Sequence, residues 1–178
     1  MSKAMWTVAV AGLFVATGVF AGADNVGFPK DYKQTFQVVS VRDHHLGGNS
    51  VAVIWANKIA IDSVKKKKEL DSGSVFLMEL WRARTENNEL VRDAKGRLVR
   101  DVVNGINIME KRAGWGGEYP PEWRNGNWEY ATFAADGAPR AASLQGCFEC
   151  HGPLGAAGYD FAYVVGEMRE PATAAGAM

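Results

Sequence analysis

The chain has 178 residues, 47% of them apolar and 22% charged, a globular balance that excludes wholesale disorder, a collagen-like repeat and a membrane protein of many spans. Twenty lysines and arginines meet twenty aspartates and glutamates, so no net field draws the chain to a nucleic-acid backbone. Two cysteines and three histidines are too few for a disulfide framework or a multi-ligand metal cluster.

Lys3 precedes an apolar stretch over residues 6–20, and the small residues Ala21, Gly22 and Ala23 follow it. That order reads as a secretory signal peptide, residues 1–23, cut after Ala21 or Ala23 and leaving residues 24–178 as one exported domain. The stretch is shorter than the roughly 20 residues a spanning helix needs. Residues 35–41 and 51–55 read as strands on either side of a turn-rich loop that holds His44 and His45. Asn57 is placed to cap a helix running to about Leu70, stopped by Asp71, Ser72 and Gly73. The four lysines at 65–68 beside Glu69 read as a solvated face of that helix.

Residues 74–84 form the longest strand pattern. Side chains alternate along a strand, so Phe76, Met78 and Leu80 share one face and Val75, Leu77, Glu79 and Trp81 the other. Two copies of Leu-Val-Arg-Asp, ending at Asp93 and Asp101, flank a polar hairpin. Strands at 102–112 and 127–133 follow, separated by an irregular loop containing Gly114, Gly116, Gly117, Pro120 and Pro121. Strands close in sequence and joined by turns imply an α+β fold, a mainly antiparallel sheet packed with a few helices.

Cys147, Phe148, Glu149, Cys150 and His151 spell C-x-x-C-H, the covalent attachment pattern of a c-type haem. Two thiols three positions apart reach the two vinyl groups on one porphyrin edge as thioethers, and the next residue sets an imidazole under the iron. Export agrees with this chemistry and makes the periplasm the expected location, because c-type maturation in bacteria occurs outside the cytoplasmic membrane. Three rivals use the same atoms. A structural zinc site would need His44 or His45 as a fourth ligand. A thioredoxin-like dithiol belongs after an early strand of an α/β unit, and a plain exported disulfide is the third. Haem outweighs them, and the group opposite His151 then decides function: Met or His closes the iron for electron transfer, whereas an apolar face leaves it open to diatomic ligands.

The blocks at 28–33, 71–80, 108–112 and 127–130, together with the late haem motif, resemble the cytochrome P-460 family, which includes the cytochromes c′-beta. The resemblance covers about residues 28–165. It implies a homodimer with one covalent haem c and His151 as the proximal iron ligand. Members that oxidise hydroxylamine carry a porphyrin-linked lysine where this chain has Met78, so the resemblance leans away from that enzyme. A distal carboxylate of those enzymes aligns with Glu110, a candidate proton acceptor, and Phe76 is the candidate aromatic cap of a gas-binding branch. Three functions follow in order. The first is binding of nitric oxide or carbon monoxide at an apolar face of Phe76, Met78 and Leu80. The second is electron transfer to a periplasmic redox partner with Met78 or a loop histidine as sixth ligand. The third is oxidation of a nitrogen compound with Glu110 taking protons.

Overall fold

The computed structural model describes residues 25–66, 69–117 and 119–169. The expected signal peptide lies outside them, as do Lys67 and Lys68 of the lysine run. In chain order the elements are helix α1 (Tyr32–Thr35), strands β1 (Gln37–Asp43) and β2 (Ser50–Ala56), helix α2 (Lys58–Lys65) and strand β3 (Val75–Ala83). The short strands β4 (Thr85–Glu86) and β5 (Glu89–Leu90), the long β6 (Arg100–Lys111) and β7 (Trp128–Phe133) come next. Helices α3 (Gln145–His151), α4 (Pro153–Ala156) and α5 (Val164–Arg169) close the described chain. Among the described residues no helix is long and apolar enough to cross a membrane.

The main sheet runs β1-β2-β3-β6-β7 and every pairing is antiparallel, so the α+β architecture expected from the alternating pattern is the one observed. Its excursion between β3 and β6 is a polar arm, whose β4–β5 turn rests on Asn87 and Asn88 at φ 51° and 65°, a conformation asparagine tolerates well. Two boundaries differ from the sequence expectation for a physical reason. Thr35 belongs to α1, because its amide and that of Gln34 bond the Asp31 carbonyl, which delays β1 to Gln37. Helix α2 stops at Lys65 rather than near Leu70, because later amides find acceptors other than helix carbonyls: the Leu70 amide bonds the distant Asp160 carboxylate and the Asp71 amide bonds the side-chain Oγ of Ser63.

Asn57 does cap α2. Its Oδ1 accepts from the Ala60 amide at 2.9 Å and the Val75 amide at 3.2 Å, while Nδ2 donates to the Gly73 carbonyl at 2.7 Å. One side chain thus starts the helix and ties it to the first residue of β3.

Cross-strand register fixes what each face presents. On one face Ala56, Phe76, Met109 and Tyr130 form a row, followed by Ile54, Met78, Asn107 and Thr132, then by Ala52, Leu80 and Gly105. Ile61 and Val64 of α2, Phe148 of α3, and Val164 and Val165 of α5 pack into the core on this side. The other face buries Leu77, Ile106, Ile108, Ala131 and Phe133 under Val26, Phe28 and Tyr32 of the N-terminal segment. Within that second core Glu79 is almost fully buried, and its carboxylate accepts from Tyr32 Oη at 2.5 Å and Trp81 Nε1 at 2.9 Å, with Lys33 Nζ at 3.5 Å. Burial alone would raise its pKa, but these hydrogen bonds and Lys33 outweigh it and hold the carboxyl below its ordinary value.

Candidate functional site

The motif residues occupy α3, a helix of seven residues that is too short to persist without tertiary support. Support comes from Phe148, which is 2% exposed and packs its ring against Tyr119 at 5.0 Å and Tyr130 at 4.9 Å. Asn125 Nδ2 donates to the Phe148 carbonyl at 3.1 Å and to Tyr130 Oη at 2.8 Å, stitching the helix to the sheet. With Phe148 anchored, Cys147 is half-buried against the core that also holds Phe76 and Met78, while Cys150 is exposed beside Tyr163. Three residues apart, the two thiols lie on neighbouring turns of one helix face. Both are free.

His151 ends the helix and is held on three sides. Tyr130 and Tyr163 flank the ring at centroid distances of 5.2 and 5.3 Å, and Nδ1 lies 2.6 Å from the Phe161 carbonyl. A carbonyl only accepts, so Nδ1 carries the hydrogen and donates it, which leaves Nε2 of the neutral ring as a lone-pair donor. Burial pushes His151 below the usual imidazole range, and the Phe161 carbonyl only partly opposes this, so the ring is neutral near pH 7. Burial pushes the Cys147 thiol up, with Cys150 adding to the effect, the reverse of the lowered thiol that an active dithiol needs.

The turn supplying that carbonyl is strained. Asp160 and Phe161 stand at φ 47° and 61°, and two successive non-glycine residues there cost about 1–3 kcal/mol each. Three donors meet the Asp160 carboxylate: Lys111 Nζ at 2.9 Å, the Leu70 amide at 2.9 Å and Trp128 Nε1 at 3.3 Å. Gly155 leaves room for the Phe161 ring, since a Cβ there would lie 2.4 Å from Phe161 Cε1. Sequence reading passed over Asp160 and Phe161, because neither stands in a motif and their role rests on backbone conformation.

The remaining expected site residues are placed as follows. Phe76 is buried at 4% exposure and stacked on Trp128 at 6.1 Å, so it supports the face from within more than it caps it. Met78 and Leu80 are half-buried on the same side of the sheet, and Met78 packs with the core that includes Cys147. Glu110 is carried to the opposite face: it pairs with Val75 and Glu129, and its carboxylate accepts from Arg112 Nε at 2.6 Å. The expected proton acceptor is therefore not presented beside Met78. The residue of β6 in that position is Asn107. Met109 and Glu110 are sequence neighbours and must face opposite ways, but only the β3–β6 register tells which of them shares the face of Met78. Next to this row a cavity of about 280 Å³ is lined by Leu80, Asn107, Thr132 and Arg140 among others, so the face grows polar toward β7.

The loop histidines stand apart from the motif. His44 is exposed with Nε2 3.3 Å from Arg92 Nη2, and burial together with Arg42 keeps His45 below the usual imidazole range. Among the described residues no three His, Cys, Asp or Glu side chains converge as a metal-ion site, so the zinc alternative is not assembled.

Two unbonded thiols a helical turn apart, followed by an imidazole whose Nε2 is left free by a backbone acceptor on Nδ1, fit a c-type haem: the thiols as thioether anchors and His151 as an iron ligand. An antiparallel sheet carrying such a site near its C-terminal end defines a sheet-built c-type cytochrome, distinct from the small helical ones. The chain belongs to the cytochrome P460 family, whose model matches residues 29–163, and membership implies haem c. No curated protein matches the chain.

Proposed function

We propose that this chain is a periplasmic monohaem cytochrome that binds nitric oxide or carbon monoxide, with the haem attached to Cys147 and Cys150 and held by His151. One observation carries the reading: the 2.6 Å contact from His151 Nδ1 to the Phe161 carbonyl, which fixes the tautomer a proximal ligand needs. Held there by Cys147, Cys150 and His151, a haem would supply an iron able to accept a diatomic ligand.

The chain's own residues favour a neutral guest. Half-buried Met78 and Leu80 beside the buried Ile54 give the sheet face an apolar stretch, and Met78 has no amine with which to form a porphyrin cross-link. The lysine that β6 places on this side, Lys111, is buried and engaged by Glu69 at 2.6 Å and Asp160 at 2.9 Å. With Glu110 on the other face, oxidation of a nitrogen substrate lacks the base assigned to it, which favours binding over turnover. Electron transfer with Met78 as sixth ligand remains the second reading, since a thioether is presented on the same side as Cys147.

Export rests on the N-terminal apolar stretch and its small flanking residues. A homodimer fits the apolar Val38 and Val41, exposed at 47% and 41% on the edge strand β1.

Absorption spectra of the purified ferric and ferrous protein separate the two readings. Gas binding predicts a five-coordinate, high-spin ferrous form whose spectrum changes on adding nitric oxide or carbon monoxide. A low-spin spectrum with a far-red sulfur-to-iron band, lost in Met78→Leu, would overturn it in favour of electron transfer.

A further inference from the structure

Lys111 and Asp160 lie at the join between the sheet and the C-terminal turn, with side chains only 6% and 8% exposed. A buried pair of this kind is a poor device for stability, because desolvation offsets much of its attraction. Its position suggests a different use. Asp160 gathers donors from three separate places: Lys111 at the end of β6, Trp128 at the start of β7, and Leu70 in the segment leading to β3. It is itself in the left-handed region, immediately before Phe161, whose carbonyl meets His151 Nδ1.

Backbone in that conformation persists only where its surroundings over-determine it. The Phe161 ring is wedged against Gly155, where a Cβ would collide with it at 2.4 Å, and lies close to Gly126, where a Cβ would sit 3.2 Å from it, so the turn is held from its apolar side as well. The carboxylate and the ring hold the turn from its two sides, and the Phe161 carbonyl meets the imidazole at 2.6 Å. We infer that Asp160, held by Lys111, is a positioning residue for the proximal ligand: by clamping the turn it keeps the His151–Phe161 hydrogen bond short and so sets how strongly His151 donates to the iron.

The inference rests on His151 being the proximal ligand. A hydrogen bond on Nδ1 raises the basicity of a ligating imidazole. A more basic ligand stabilises ferric iron and stiffens the iron–histidine bond. Asp160→Asn keeps the shape and weakens the hold of Lys111, which loosens the turn. The holoprotein should then show a lower iron–histidine stretching frequency in resonance Raman spectra of the ferrous form and a raised midpoint potential. The single variant Lys111→Arg, which keeps the cation opposite an intact Asp160, should retain wild-type values of both.

If Asp160→Asn does not fold, the double variant Asp160→Asn/Lys111→Met leaves no unpaired buried charge and should show the same two shifts. Intact mass of the wild type separates the two levels of failure. Wild type without covalent haem would remove the proximal-ligand reading and the inference with it. Wild type with covalent haem, and a folded variant whose stretching frequency and potential equal the wild-type values, would overturn the inference alone.

Discussion

The two residues between the motif cysteines offer a controlled comparison. Phe148 is buried between Tyr119 and Tyr130, whereas Glu149, its neighbour, is exposed and its carboxylate accepts from Gln145 Nε2 at 2.6 Å. Phe148→Ala removes a buried ring and leaves a cavity beneath α3, a change that costs about 3–5 kcal/mol. Set against a total stability of about 5–15 kcal/mol, that is a large share. Glu149→Ala loses one exposed side-chain contact and should stay within about 0.5 kcal/mol of wild type. In urea, with a slope of about 2 kcal/mol per molar, Phe148→Ala should lower the unfolding midpoint by about 2 M and Glu149→Ala by no more than about 0.3 M. The aromatic variant should also reduce the yield of covalently loaded protein, since α3 is too short to present its thiols without the anchor. Equal midpoints for the two variants would show that Phe148 does not hold the helix.

Two further outcomes test the frame around the site. Asn57→Ala removes an N-cap and also strips partners from the Val75 amide and the Gly73 carbonyl, so it should cost about 2 kcal/mol and speed amide exchange through α2. Unchanged exchange would contradict the capping role, and Lys58→Ala, which breaks an exposed pair with Asp62, should leave the unfolding midpoint close to that of the wild type. The folded Glu79 carboxyl titrates below its ordinary value of about 4.3, so its stabilising contribution is complete above that pH and is lost as the pH falls through the folded value. The stability gap between wild type and Glu79→Gln should therefore be widest near neutrality and close on acidification; a gap that widens in acid would contradict this assignment.

Much of the fold was legible because its strands are half-buried and alternate cleanly. The face shared by Phe76, Met78 and Leu80 follows from period two alone, and the cap at Asn57 from its place before an apolar helical pattern. What the sequence hid depends on contacts between distant segments. The end of α2 is decided by Asp160, ninety positions beyond Leu70. The orientation of β6, which separates Asn107 from Glu110, is decided by a pairing across the polar arm. The motif announced the thiols and the imidazole, but the tautomer of His151 is set by a carbonyl ten residues away in a turn of unusual backbone, and no side-chain pattern reports that.

The central claim is a porphyrin joined through Cys147 and Cys150 to the helix that ends in His151. Intact mass of the purified protein after acid-acetone extraction tests it most directly, with a Cys147→Ser/Cys150→Ser variant beside it. Wild type should retain the mass of one haem and the variant none. A wild-type chain of bare polypeptide mass, with all pigment in the solvent, would contradict the account.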